Sequence, residues 1–143
     1  MHGREEYEQA AREIANQLGV PEELVFAVIE QESSWDHFKE GGVGEIGLMQ
    51  FRPGDVHKDA AYMEGLTYPY NKDLTNYRKN LQAGVGYLKH LLNQFGGDYR
   101  KALQSYNAGP DNAFDGPGTV PHSYATSVMN KIKNLGFRAG GQN

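Results

Sequence analysis

Residues 28–50 read VIEQESSWDHFKEGGVGEIGLMQ. The stretch leaves an apolar helix, passes an acid and two serines, crosses a glycine-bearing loop and returns to a short apolar run. Val25, Val28 and Glu32 are spaced by three and four, so Glu32 shares the face of the two valines. Glu30 is turned from it by roughly 200° and faces solvent. A carboxyl on a core-facing stripe demands a reason. Either it ends its helix paired with a cation or backbone donors, or it does chemistry. Residues 36–46 hold Gly41, Gly42 and Gly44 and read as a loop.

Outward from this stretch the chain reads as helices. Tyr7, Ala10, Ala11, Ile14, Ala15 and Leu18 predict a helix over 4–18, stopped by Gly19. Pro21-Glu22-Glu23 opens the helix that carries Glu32, with proline and acids suited to a first turn. After the loop, residues 46–51 are expected to begin another helical turn, broken at Pro53-Gly54. Residues 54–76 are polar and carry Tyr62, Tyr68 and Tyr70, with Tyr77 just beyond; they are expected to run over the surface. Each tyrosine is expected to pack that segment onto the core, although such a cluster also suits stacking on sugar rings.

The clearest helix spans 77–95, with Leu81, Val85, Leu88, Leu92 and Phe95 as its stripe. Gly84 and Gly86 within it predict close packing against a neighbour. Gly96-Gly97 ends it, and Asp98 caps a helix holding Tyr99, Ala102, Leu103 and Tyr106. Asn107-Ala108-Gly109-Pro110 terminates that helix, and residues 111–120 form a loop. A last helix is expected over 121–135, with Tyr124, Val128, Ile132 and Leu135 inward, a stop at Gly136 and a mobile tail. No strand pattern or internal repeat is found. The expectation is an all-α single domain over 1–143, with its core about 20–135.

Composition narrows the function. The chain has 143 residues, 38% of them hydrophobic, enough for a sizeable core and too apolar for a disordered chain. A net charge of −4 without a basic block argues against a nucleic-acid partner. Cysteine is absent, which excludes a disulfide framework and thiol catalysis. No apolar run is long enough to span a bilayer, and the start MHGREEYEQA lacks an apolar leader. Work outside the cytoplasm would then need a leader already removed, a larger parent chain or another export route. His2, His37, His57, His90 and His122 are scattered, so no metal site and no cofactor are expected. A nucleophile elbow, a P-loop and a dinucleotide fingerprint are absent. What remains is one acid on an apolar face beside a glycine loop and aromatics. Burial favours the neutral carboxyl, which suits a proton donor for glycosidic cleavage.

Glu32-Ser33-Ser34-Trp35, followed by Gly47-Leu48-Met49-Gln50 beginning fifteen residues after the Glu, resembles the soluble lytic transglycosylase (SLT) family of peptidoglycan-cleaving enzymes. Pro53 shortly after the Gln, Asn80, Gly84 and Tyr87-Leu88 in one helix, Ala102-Leu103-Gln104-Ser105-Tyr106-Asn107-Ala108-Gly109, and Tyr124 in the last helix follow the family order. The resemblance covers about 20–135 and implies a lysozyme-like all-α fold.

It implies Glu32 as the single general acid/base, cleaving between N-acetylmuramic acid and N-acetylglucosamine with formation of a 1,6-anhydro ring. Met49 and Gln50 would line the groove, with Gln50 donating to the sugar. Tyr106 would approach the Glu32 carboxyl, Asn107 would hold neighbouring backbone and substrate, and Tyr124 would close the site. Ser33 joins this set, or only caps its helix.

Many members carry Ser nine residues after the Glu, where its hydroxyl can reach the carboxyl; this chain has Gly41. Tyr106, water or a loop amide are the expected replacements. Asp36, Glu40 and Glu45 are expected to be exposed. The implied partners are peptidoglycan glycan strands, and the implied setting is the cell envelope or a phage virion, within a larger phage or secretion-system protein. The alternatives are a hydrolysing muramidase of goose-lysozyme type and a non-catalytic glycan-binding module.

Overall fold

A computed structural model describes residues 3–42, 44–52, 61–63, 71–108 and 123–139. Among the described residues six α-helices follow one another: α1 (Arg4–Leu18), α2 (Glu22–Ser33), α3 (Asn71–Leu74), α4 (Tyr77–Gln94), α5 (Tyr99–Ala108) and α6 (Ser123–Ala139). A 3-10 turn, Ala61–Met63, precedes α3. Among the described residues the only extended pairing is two isolated antiparallel bridges, Glu40 with Ile46 and Ile46 with Phe51.

α1 forms where its periodicity places it. Tyr7, Ala10, Ala11, Ile14 and Ala15 are buried, and Gly19 at φ 73° closes the end in the left-handed conformation that glycine adopts without a Cβ clash. α2 is buried over most of its circumference: Leu24, Val25, Ala27, Val28 and Ile29 have no exposure. It packs between α1 and α6, while α4 packs on α1 and α5. This sandwiching makes α2 a fixed support for whatever its last turn presents.

α4 is likewise buried on more than the expected stripe, since Asn80, Ala83, Gly84, Gly86, Tyr87 and Leu91 are buried beside Leu81, Val85 and Leu88. The two glycines explain this. A Cβ at Gly84 would lie 2.6 Å from Cβ and Cγ of Met49, and one at Gly86 would meet Cβ of Tyr62. Their absence lets the Gln50-bearing loop and the 3-10 turn press directly onto the helix. Asn76 caps α4, its side chain accepting from the Arg78 and Lys79 N–H groups.

Three expectations differ from the structure. Residues 46–51 do not begin a helix. Ile46 and Phe51 exchange both backbone hydrogen bonds, at 3.1 and 3.2 Å, and close a tight turn between them. Gly47 at φ 74° and Gln50 at φ 48° are left-handed, which no right-handed helix accepts. The segment 54–76 is not wholly superficial either: Met63 and Leu74 are buried with Phe51, Ala83, Tyr87, Leu91 and Ala102 in a second apolar cluster. α6 does not stop at Gly136 but continues to Ala139; glycine inside a helix costs about 1 kcal/mol without having to end it. Pro53-Gly54, His57, Tyr68, Tyr70, Gly109-Pro110, the loop 111–120, His122 and the tail 140–143 lie outside the described residues.

Candidate active site

Glu32 occupies the last turn of α2 and is half-buried. The chain turns sharply just after it. Ser34 at φ 50° and Trp35 at φ 67° are consecutive non-glycine residues in the left-handed region, a costly arrangement that needs outside support. Trp35 supplies that support. It is 7% exposed, meets Phe26 edge-on at 5.1 Å, and lies beneath the Arg4 guanidinium at 5.3 Å. The buried indole thus holds a strained reversal that brings the loop back over Glu32.

The loop is tied down by its own polar groups. The Ser33 hydroxyl donates to the Leu48 carbonyl at 2.8 Å, with the Ile29 carbonyl at 3.2 Å. Lys39 Nζ donates to the Glu32 carbonyl oxygen at 2.9 Å. The Lys39 carbonyl accepts from the Gly47 N–H and from Gln50 Nε2, each at 2.9 Å. Gln50 Nε2 also donates to the Gly47 carbonyl at 2.9 Å.

From α4, buried Asn80 reaches into the same turn. Its Oδ1 accepts from the Met49 N–H at 3.1 Å, and its Nδ2 donates to the Ile46 and Leu74 carbonyls at 2.8 and 3.1 Å. Every polar atom of that amide is therefore engaged.

Two tyrosines complete the site from the far end of the chain. The Tyr106 hydroxyl on α5 donates to the Met49 carbonyl at 2.8 Å. The Tyr124 hydroxyl on α6 donates to Glu32 Oε2 at 2.5 Å, a length typical of a charge-assisted bond. Ser127, one turn on, donates to Gln31 Oε1 at 2.7 Å and fastens α6 beside α2.

The electrostatics follow from this enclosure. Burial pushes the Glu32 carboxyl above its ordinary value, and the Glu45 charge pushes the same way. The Tyr124 hydrogen bond and the Lys39 ammonium oppose the shift. Burial and the facing Glu32 charge drive the Tyr106 and Tyr124 hydroxyls well up, so both remain protonated donors. A carboxyl held toward its neutral form, with one oxygen fixed by a phenol, is equipped to give and retake a proton. Among the described residues no group of three His, Cys, Asp or Glu side chains could hold a metal ion, and no helix is long and apolar enough to cross a membrane.

The structure gathers the expected residues but distributes their contacts differently. Ser33 does more than back-bond its helix, since it joins α2 to the turn at Leu48. Met49 does not line an open groove: its side chain has no exposure and is pressed against Gly84. Gln50 is 8% exposed, and its amide donates within the loop rather than outward. Tyr106 reaches the region, but its hydroxyl serves Met49, so the partner of the carboxyl is Tyr124. Asn107 is exposed at the end of α5. Asp36 and Glu40 are exposed as expected, whereas Glu45 is half-buried.

Sequence reasoning assigned no role to Asn80 or Lys39. Asn80 carried a signal, because a neutral amide three residues after Tyr77 and four before Gly84 falls on the buried face of α4. Lys39 carried none, because its contact depends on the chain reversal at Ser34 and Trp35.

Comparisons with known proteins agree with this arrangement. The sequence model of the family described as Transglycosylase SLT domain matches residues 9–117. The chain is 31% identical over 91 residues to the soluble lytic murein transglycosylase of Escherichia coli, covering 64% of this chain and 14% of that protein. It is 30% identical over 137 residues to the membrane-bound lytic murein transglycosylase C of Yersinia enterocolitica, covering 90% of this chain and 37% of that one. The chain thus spans well under half the length of these relatives.

Among solved structures, an inactive mutant of the lytic transglycosylase Slt from Pseudomonas aeruginosa superposes with a TM-score of 0.78 at 24% identity, covering 94% of this chain and 24% of that one. The 70 kDa soluble lytic transglycosylase from Escherichia coli gives 0.77 at 21% identity, covering 92% of this chain and 24% of that one. These likenesses establish the all-α, lysozyme-like fold. With the family model spanning most of its length, the chain belongs to the Transglycosylase SLT domain family.

Proposed function

We propose that this chain is a peptidoglycan lytic transglycosylase domain in which Glu32 alone is the general acid and base. The observation that carries the reading is the half-buried Glu32 carboxyl, raised by burial and held at Oε2 by the Tyr124 hydroxyl 2.5 Å away. With Oε2 fixed, the proton is exchanged at Oε1. Protonated Glu32 gives its proton to the glycosidic oxygen between N-acetylmuramic acid and N-acetylglucosamine. That bond breaks, and positive charge develops at the muramoyl anomeric carbon. Tyr124 and Lys39 then stabilise the new carboxylate. Glu32 takes the proton from the C6 hydroxyl as that oxygen bonds the anomeric carbon, closing a 1,6-anhydro ring. Acid and base are one group acting twice, so no second carboxylate and no water are consumed.

Ser33, Tyr106, Asn80 and Gln50 act as the frame that holds the turn 47–50 beside Glu32. Asn107, exposed near the end of α5, is the member of the set proposed to meet a glycan. The substrate is peptidoglycan strands and the working place is the cell envelope, in keeping with the lytic murein transglycosylases that the chain resembles.

The half-burial of Glu45, whose charge acts on the Glu32 carboxyl, favours one second reading, a hydrolase on the same fold with a water held by that carboxylate. Mass spectrometry of the released muropeptides decides between them. Anhydro ends, lighter by one water than reducing ends, are expected; reducing ends alone would establish the hydrolase.

A further inference from the structure

Two side chains from the start of α1 reach the loop that follows Glu32. The Arg4 guanidinium lies 5.3 Å from the centre of the Trp35 ring, and the Tyr7 ring lies 5.5 Å from the His37 imidazole. Arg4 and Tyr7 are three residues apart and are neighbours on one helix face. Trp35 and His37 alternate with the exposed Asp36 and Phe38, and it is this alternate pair that meets α1. Both contacts are braced. Arg4 also meets Glu8 at 2.8 Å and Glu30 of α2 at 4.0 Å. Buried Tyr7 meets Tyr77 of α4 edge-on at 5.0 Å, and His37 lies 6.0 Å from that same ring. Arg4 and Tyr7 both precede residues 9–117, the stretch that the family model matches.

The loop they hold leads directly to the site. Ser34 and Trp35 are both left-handed, and such a pair relaxes unless its surroundings hold it. Beyond them the Asp36 carbonyl accepts from the Lys39 N–H at 3.1 Å. Lys39 then makes two contacts at the site. Its Nζ donates to the Glu32 carbonyl at 2.9 Å, and its own carbonyl accepts from Gln50 Nε2 at 2.9 Å. A shift at Trp35 or His37 therefore passes through Asp36 to Lys39, and from there to the Glu32 backbone and the Gln50 side chain.

We propose that Arg4 and Tyr7 are positioning residues for the reaction at Glu32: from the first turns of α1 they seat Trp35 and His37, and so fix the Lys39 contacts that set the acid against the turn 47–50. This rests on the reading of Glu32 as general acid. Misplacing a reacting group by about 1 Å can slow a reaction about a hundredfold, so loss of the seat belongs in kcat, with KM held. Arg12 provides the internal comparison. It too lies on α1, pairs with Glu22 at 2.8 Å and covers the Phe26 ring at 5.4 Å, but both of these partners are on α2, one ring further from the loop.

Trp35 is the one tryptophan of the chain, so its fluorescence reads the loop directly. The test measures kcat and KM on soluble peptidoglycan strands, melting temperature, and Trp35 emission and acrylamide quenching. The proteins are wild type, Arg4→Gln, Arg4→Lys, Tyr7→Leu, Tyr7→Phe, Arg12→Gln and Glu32→Gln. Arg4→Gln should lower kcat about three- to tenfold and Tyr7→Leu about tenfold or more, with KM within about twofold of wild type. Both should shift the emission to the red and raise the quenching. Arg4→Lys keeps the charge and Tyr7→Phe keeps the ring, so each should recover most of the loss. Arg12→Gln should melt lower by an amount similar to Arg4→Gln, yet keep kcat and the emission. The Arg4 side chain is 58% exposed, so its variants fold even where Tyr7→Leu does not.

Unchanged kcat in Arg4→Gln and Tyr7→Leu, with Glu32→Gln inactive, would overturn this inference and leave the acid assignment standing. So would a kcat that falls with melting temperature alike in Arg4→Gln and Arg12→Gln, because the contacts would then serve stability alone. A raised KM with kcat held would also overturn it, since the loop would then act on substrate binding. Full activity in Glu32→Gln would instead remove the acid assignment on which the inference rests. The Trp35 spectra read the seating of the loop by α1 whether or not a variant is active.

Discussion

Asn80→Ala removes three hydrogen bonds that cross from α4 into the turn 46–51 and to the end of α3. The Met49 N–H would remain buried after losing its acceptor, which costs about 1–3 kcal/mol, and the two lost carbonyl bonds add about 0.5–1.5 kcal/mol each. Ile46 softens the loss, because its carbonyl keeps the Phe51 N–H. The expected penalty is about 2–5 kcal/mol, a large share of a typical domain's stability. At about 3 °C per kcal/mol this lowers the melting temperature by roughly 6–15 °C.

Thermal unfolding followed by circular dichroism reads the effect, with wall clearing measured well below the transition. Activity should fall as well, since Met49 anchors the Tyr106 hydroxyl and precedes Gln50. Asn80→Asp sharpens the test. It keeps the acceptor for Met49 but turns a carboxylate toward the Ile46 and Leu74 carbonyls, so it should be at least as unstable at neutral pH and should recover on acidification. If Asn80→Ala melted within about 1 kcal/mol of wild type, the amide would not be what holds the turn, and the account of its placement would fail.

Tyr124→Phe removes the hydroxyl that lowers the Glu32 carboxyl's affinity for its proton, so the alkaline limb of activity should move to higher pH. The peak rate should fall about tenfold or more as the carboxylate formed during reaction loses a donor. Gly84→Ala places a methyl 2.6 Å from Met49 Cβ and Cγ, and this overpacking should cost about 1–3 kcal/mol in chemical denaturation, with wall clearing reduced because Met49 must shift.

The helices were legible because burial in this fold follows period. The stripes on α1 and α4 and the choice of Glu32 over Glu30 come from spacing alone, and Gly19 and Gly96-Gly97 mark real left-handed ends. Residues 46–51 were not legible. A short apolar run looks helical until its carbonyls are claimed by Ser33 and Asn80, partners 15 and 34 residues away. The site divided in the same way. Motif spacing singled out Glu32, Ser33, Gln50, Tyr106 and Tyr124, which the fold brings to one region, but not which tyrosine meets the Glu32 carboxyl, because that depends on how α5 and α6 return to α2. Gly41 looked like a missing hydroxyl; in space the Glu45 side chain lies against it.

The central claim is that Glu32 makes and breaks the bond. Clearing of purified cell walls by wild type and Glu32→Gln, with the released muropeptides weighed by mass spectrometry, tests it most directly. Gln is isosteric and removes a carboxyl whose folded-state proton affinity is raised, so its stability contribution is lost as pH rises through that range. The variant should therefore melt no lower than wild type at neutral pH, and any inactivity would be chemical. The account predicts anhydro products from wild type and none from Glu32→Gln. Equal clearing by both, with the same products, would contradict it.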